Sequence, residues 1–143
     1  MNVEMLLRKK GNVIYSIEPD ALVYEAIEKM AQENIGALLV IQNGKVQGII
    51  SERDYARKVI LKGKSSRETS ISEVMTTEVC YISKQRRMHE CMALMTEKHF
   101  RHLPVMDDGE LLGLITMGDV VKTIIEEQDH EIEDYQNYIR GGY

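Results

Sequence analysis

The chain repeats itself, and that feature limits its fold more than any other. At an offset of 65 residues, without a gap, Ile14–Lys58 aligns with Val79–Thr123, and nine of the 45 pairs are identical. The identities are Ile17/Ile82, Glu25/Glu90, Met30/Met95, Leu38/Leu103, Val40/Val105, Gly44/Gly109, Gly48/Gly113, Ile50/Ile115 and Asp54/Asp119. Ser51/Thr116, Ile49/Leu114 and Ile35/Phe100 are chemically alike. The matches fall on apolar positions and turn glycines, as expected of one supersecondary unit used twice.

Each half reads as β-α-β-β-α. A short strand (Ile14–Ile17, Cys80–Ile82) precedes a helix with apolar residues at helical spacing: Val23, Ala26, Ile27, Met30 and Ala31, then Met88, Cys91, Met92 and Met95. Two β runs follow, Ala37–Ile41 with Val46–Ile50 and His102–Met106 with Leu111–Ile115. They are joined by Asn43-Gly44 and Asp108-Gly109, dipeptides that tolerate the positive φ of a tight hairpin. The last helix of each half starts after Ser51 or Thr116, the first running to about Leu61. The expectation is a mixed α+β fold with residues 1–66 as the first repeat, 67–125 as the second and 126–143 as a helical extension. Lys62–Arg67 is a polar linker, Ile71–Thr76 a helical turn leading into the second half, and the first eleven residues serve the first half likewise. A half with three strands and two helices cannot bury its apolar faces alone, so the copies are expected to pack on each other.

The sharpest shared motif is Gly48-Ile49-Ile50-Ser51-Glu52-Arg53-Asp54, echoed by Gly113-Leu114-Ile115-Thr116-Met117-Gly118-Asp119. Each places a hydroxyl where strand gives way to helix and a carboxylate three residues later. One reading is a capping box, with the hydroxyl at the N-cap and the acid reaching back. The other is a nucleotide site. A helix N-terminus offers unpaired amides and partial positive charge to a phosphate, and an ionised Asp can accept from two ribose hydroxyls. One helical turn separates the two groups by the distance a nucleotide requires.

With the repeat, these motifs resemble the cystathionine-β-synthase (CBS) domain pair, or Bateman module, from about Met5 to Ile125. The Ile71–Thr76 lead-in, the Arg101-His102-Leu103-Pro104-Val105 strand, the hairpin Gly109–Gly113 and the two hydroxyl-x-x-Asp helix starts carry the resemblance. It implies a pseudo-twofold pair whose interdomain clefts take adenosine derivatives: AMP, ADP, ATP, NAD(H) or S-adenosylmethionine. In that pattern the acid binds ribose, the hydroxyl contacts phosphate and adenine lies against apolar strand residues, among which Ile14 is the candidate. The basic pair Arg101-His102, where the first copy has Gly36-Ala37, matches one that contacts phosphate in an adenylate-binding member. Arg also supplies a planar fork of donors to phosphate, and His a donor whose charge varies near neutrality. Arg53, Arg57 and Lys58 are further candidate cations or solvated helix residues. Gly118 stands where some relatives carry a hydroxyl, leaving room but removing a phosphate contact. The favoured site is therefore Thr116 and Asp119 with Arg101, His102 and Gly118, and the second is Ser51 and Asp54 with Arg53. AMP or NAD(H) is the favoured ligand, because Arg101 and His102 are too few cations for a polyphosphate.

Several signals are expected to carry no chemistry. Gly63-Lys64-Ser65 lacks the earlier glycine and leading strand of a phosphate loop. His99 and His102 lack the further ligands of a zinc site, so no metal is expected. His89 and His130 are expected to face solvent. Cys80 and Cys91 read as small buried side chains and the nine methionines as core filler. No nucleophile, base and oxyanion set can be assembled, so no enzyme is expected.

Charge narrows the partners. The chain carries 18 basic and 23 acidic residues, and the excess lies between Glu126 and Arg140. A neutral body with an acidic tail lacks the basic surface that nucleic acid needs. The longest apolar runs are too short to span a bilayer, no secretory signal is legible, and two cysteines suit a reducing cytoplasm. In the tail, Val121, Ile125, Gln128, Ile132, Tyr135 and Ile139 follow a 4-3 spacing that keeps one face apolar. That face either folds back on its own module or pairs two chains, the homodimer being favoured, and Gly141-Gly142 ends the helix. Three functions stay open: a free-standing adenine-nucleotide sensor acting on a partner enzyme in trans, a ligand-free dimerisation scaffold, and a nucleotide hydrolase.

Overall fold

The computed structural model describes residues 1–11 and 13–140. Its elements run α1 (Val3–Lys10), β1 (Ser16–Ile17), α2 (Val23–Glu33), β2 (Ala37–Gln42), β3 (Lys45–Ser51) and α3 (Glu52–Asp54). There follow α4 (Ile71–Val74), α5 (Met88–Lys98), β4 (His102–Asp107), β5 (Glu110–Thr116) and α6 (Met117–Ile139). This is the mixed α/β architecture of a doubled β-α-β-β-α unit with a long last helix. The expected end of that helix at Gly141-Gly142 lies outside the described residues.

The repeat extends into details below the level of secondary structure. Asn43 and Gly44 adopt φ of 52° and 75°, and Asp108 and Gly109 adopt 49° and 78°. Two consecutive positive values define the tight hairpin that each dipeptide favours. In β2–β3 the antiparallel register shifts between Val40 and Ile41, and in β4–β5 between Val105 and Met106, the same place in both copies. The helices α2 and α5 end at Asn34 and His99, again 65 residues apart, both in the left-handed conformation that closes a helix.

The first strand of each copy is shorter than expected, and a proline accounts for the difference between them. In the first copy Leu39 N–H donates to the Tyr15 carbonyl at 3.2 Å and β1 pairs in parallel with β2. The equivalent of Leu39 is Pro104, which has no N–H to donate. The strand expected at Cys80–Ile82 therefore reduces to one parallel bridge, Ile82 with Val105. The helix expected from Glu52 to Leu61 is irregular, with one α turn, a wide π-type stretch over Tyr55–Val59 and a tight turn over Ile60–Lys62.

Two compact units emerge, one comprising Ile14–Val79 and the other Met1–Val13 with Cys80–Tyr143. The core of the first gathers Val23, Met30, Leu38, Val40, Ile50, Ile71 and Val74. The core of the second gathers Val3, Leu6, Leu7, Met88, Cys91, Met95, Leu103, Ile115 and Val120. The lead-ins are thus exchanged relative to expectation: α1 belongs with the second repeat and α4 with the first.

Two repeated glycines let each lead-in lie close against its hairpin. A Cβ on Gly48 would come within 2.6 Å of the Thr76 carbonyl oxygen, and one on Gly113 within 2.8 Å of Leu7 Cδ2. Ile49 and Thr76 exchange backbone hydrogen bonds of 2.9 and 2.8 Å, so the first contact cannot relax without breaking a bridge. The glycines are where each lead-in lies directly on its hairpin.

The long helix buries Val120 and Thr123, whereas every residue from Gln128 to Arg140 is exposed. On the apolar stripe Ile132, Tyr135 and Ile139 are 55–68% exposed, so nothing among the described residues covers its far end. No helix among the described residues is long and apolar enough to cross a membrane.

Candidate functional site

Both hydroxyl-x-x-Asp motifs close as capping boxes, but their carboxylates have different surroundings. In the first repeat Ser51 is the N-cap: Asp54 N–H donates to its hydroxyl at 3.1 Å, and Ser51 N–H donates to Asp54 Oδ2 at 3.0 Å. The Ser51 hydroxyl is also 3.0 Å from Asp54 Oδ2. The other oxygen, Oδ1, accepts from the Thr76 hydroxyl at 2.9 Å and pairs with Lys58 Nζ at 3.0 Å. Lys58 reaches on to the Val74 carbonyl at 3.0 Å. Asp54 is 7% exposed, and both of its oxygens are occupied by the protein. It ties the helix start to the segment after α4. Arg53 next to it is exposed and Ile14 half-buried.

In the second repeat Thr116 caps α6, accepting from Asp119 N–H at 3.1 Å, and Thr116 N–H donates to Asp119 Oδ2 at 2.9 Å. The same Oδ2 receives Lys10 Nζ at 2.6 Å, from the last turn of α1. Lys10 also donates to the Leu114 carbonyl at 2.8 Å. No donor among the described residues reaches Oδ1, and the Asp119 side chain is 25% exposed. Among the described residues one oxygen of this carboxylate is thus without a donor, whereas both oxygens of Asp54 are engaged.

Strand pairing brings the basic pair to the same corner. His102 sits opposite Thr116 in the β4–β5 register, and Met117 N–H donates to the Arg101 carbonyl at 2.9 Å. Arg101 is exposed and His102 half-buried. At Gly118 an added Cβ would meet only Thr116 Oγ1, at an ordinary 3.6 Å, so the position is open. Thr116, Gly118, Asp119, Arg101 and His102 thus share one edge of the second-repeat unit. Ser51, Arg53 and Asp54 occupy the equivalent edge of the other.

The charge state of Asp119 follows from its neighbours. Burial pushes its carboxyl up, but the Lys10 ammonium, the Thr116 amide and the Thr116 hydroxyl together outweigh that and hold it below the ordinary 3.8. A carboxyl lowered by folding adds stability that is complete above 3.8 and is lost as pH falls through the folded value. We predict that Lys10→Met reverses the shift, since burial then acts with less opposition. Carbon-13 titration of the Asp119 carboxyl checks this: a midpoint that rises in the variant agrees, and an unchanged midpoint does not.

Other candidates fall away from the site. Cys91 is buried, and burial pushes its thiol up to about 11, so it stays protonated at neutral pH. His89 and His130 face solvent, as expected. Lys58, read as a candidate ligand cation, is engaged by Asp54 instead; its spacing four residues on from the acid was the available signal. Lys10 and Thr76 were missed, because only the folded chain brings the lead-ins against the helix starts. Grooves of about 490, 260 and 800 Å³ on the second-repeat unit involve α1, α5 and α6 and touch none of the predicted site residues.

Fold and corner geometry together describe a tandem pair of capped β-α-β-β-α units with a hydroxyl and an acid at each second helix. Residues 10–61 and 71–126 match the CBS domain model, and the chain belongs to the CBS domain family. It is 40% identical over 129 residues to the mitochondrial CBS domain-containing protein CBSX3 of Arabidopsis thaliana, covering 87% of this chain and 63% of that one. With the CBS domain-containing protein YhcV of Bacillus subtilis it shares 30% identity over 107 residues, 75% of this chain and 76% of the other. A solved structure of a putative signal-transduction protein with CBS domains from Burkholderia ambifaria superposes with a TM-score of 0.86 at 46% identity, covering 90% and 96% of the two chains. The chain is a CBS-pair module.

Proposed function

We propose that this module senses an adenine nucleotide, held at the second-repeat corner by Asp119 and Thr116, with AMP or NAD(H) the favoured ligand. The observation that carries the reading is Asp119 Oδ1, which no donor among the described residues reaches, one turn into a helix whose cap hydroxyl lies beside His102 of β4 and Arg101 just before it. A carboxylate with a free oxygen can accept a ribose hydroxyl, while a helix N-terminus with a nearby guanidinium suits a phosphate. The Ser51/Asp54 corner is read as structural, since all its acceptors are engaged. Occupancy is passed on through a homodimer or to a partner enzyme in trans, in a reducing compartment such as the cytoplasm. The exposed α6 stripe is the surface offered for that contact. The ligand can regulate only through unequal affinity for two conformations.

The scaffold reading is favoured by one observation, that both motifs close as capping boxes with no ligand needed. Thermal unfolding against AMP, NAD(H), ATP, ADP and S-adenosylmethionine separates the two. A ligand at about 100 times its Kd stabilises by about 2.7 kcal/mol. For a chain of this size that is a shift on the order of 5–10 °C. AMP or NAD(H) is expected to give it, whereas equal melting with every compound, in protein stripped of co-purified nucleotide, supports the scaffold. Release of product from any nucleotide supports the hydrolase.

A further inference from the structure

The last turn of α1 reaches directly into the proposed site. Lys10 donates to Asp119 Oδ2 at 2.6 Å and to the Leu114 carbonyl at 2.8 Å. The Thr116 amide takes the remaining acceptor direction of Oδ2, at 2.9 Å. A vicinal diol presents two hydroxyls, and a carboxylate receives them most directly one on each oxygen. Oδ1 accommodates the first hydroxyl as it stands, and the second needs the position that Lys10 holds.

We propose that Lys10 is a latch on the ligand site: a ribose diol that grips Asp119 displaces its ammonium and so frees the C-terminal turn of α1. The inference rests on the nucleotide-sensing reading and adds to it a residue of the N-terminal lead-in and a mechanical output. The two ends of α1 are fastened differently, and this decides what moves. At its start Val3 N–H and Glu4 N–H donate to the Arg86 and Lys84 carbonyls at 2.8 and 2.9 Å, with Val3 and Leu6 buried. At its end, besides Leu7 on Gly113, the attachments among the described residues are the Lys10 ammonium, shared between Asp119 and the Leu114 carbonyl, and the exposed ion pair of Lys9 with Glu126 at 2.8 Å. The Lys9 pair is 60% and 43% exposed against 32% and 25% for Lys10 and Asp119, and it is screened more, so Lys10 is the principal polar attachment of that turn. Gly11, at φ 94°, closes the helix immediately beyond and gives the turn room to shift. The corresponding residue of the other lead-in is Met75, which has no charge, so the device belongs to one repeat alone.

Calorimetric titration of the full chain and its Lys10→Met variant with adenosine and with 2′-deoxyadenosine tests the latch. Adenosine has the diol and no phosphate, so attraction between lysine and phosphate does not interfere. Removing the competing charge-assisted bond is expected to tighten adenosine binding about tenfold. Binding of 2′-deoxyadenosine, which lacks one hydroxyl of the pair, is expected to stay the same. Amide exchange of Leu7–Lys10 in the wild-type chain is expected to quicken when adenosine binds. Adenosine affinity that is equal or weaker in the variant, or an equal gain for both nucleosides, overturns the latch and leaves the sensor reading standing. Absence of adenosine binding to either protein overturns both. Should the variant not fold, the wild-type exchange decides alone: quicker exchange supports the latch, and unchanged or slower exchange overturns it.

Discussion

Asp54→Ala is expected to destabilise the protein by about 3 kcal/mol while leaving nucleotide binding in place. The carboxylate closes the Ser51 capping box, and loss of a cap costs roughly 1 kcal/mol. It also accepts from the Thr76 hydroxyl at 2.9 Å in a site where it is itself only 7% exposed, and its removal leaves that donor without its partner, at about 1–1.5 kcal/mol. Lys58 loses its ion partner too, but its side chain is 43% exposed and can be rehydrated, so this adds less than a buried pair would, about 0.5–1 kcal/mol. Urea unfolding measures the total. Asp54→Asn keeps an acceptor for Thr76 and Ser51 and is expected to cost less than half as much. A neutral result for Asp54→Ala would mean that the network does not hold the segment after α4 in place.

The companion substitution is expected to behave in the opposite way. Asp119→Ala removes a cap and an ion pair whose partners are 25% and 32% exposed, a cost of about 1–2 kcal/mol. Its effect on ligand should be complete: the shift of several degrees given by AMP or NAD(H) disappears, because no other carboxylate among the residues of the corner can accept both ribose hydroxyls. The Asp54→Ala protein, melting lower from the start, keeps the ligand-induced increment. Loss of that increment in both variants, or in neither, would contradict the division of labour between the corners.

The pattern of the fold was legible wherever local chemistry dictates it. Asn43-Gly44 and Asp108-Gly109 require positive φ, so the hairpins were readable, and the 65-residue offset carried them from one copy to the other. Pro104 was readable too, and its missing N–H is why the second copy has a bridge where the first has a strand. What could not be read was the exchange of lead-ins. Val3, Leu6 and Leu7 form an apolar stripe that names no partner along the chain, and Gly48 and Gly113, identical in the two copies, admit a lead-in closely without saying which; only the folded chain shows it.

The site shows the same limit. The two motifs are nearly identical along the chain, with Ser51 and Asp54 matched by Thr116 and Asp119, and both read equally well as caps or as ligands. Their difference lies in what approaches from outside the motif. Thr76 and Lys58 converge on Oδ1 of one acid, whose Oδ2 is already held by Ser51, whereas Lys10 joins the cap on Oδ2 of the other and leaves Oδ1 without a donor among the described residues. The contribution of Lys58 was available from its place one turn beyond Asp54. Those of Thr76 and Lys10 were not, since each lies more than twenty residues away and depends on the exchanged packing.

The account depends most on which acid meets the sugar, and a crystal structure of the full chain with AMP measures that directly. The result expected is a ribose with its hydroxyls at hydrogen-bond distance, about 2.5–3.0 Å, from the Asp119 carboxylate, and Asp54 still bonded to Thr76 and Lys58. AMP seated on Asp54 with Thr76 and Lys58 turned away, or bound where it touches neither acid, would contradict it.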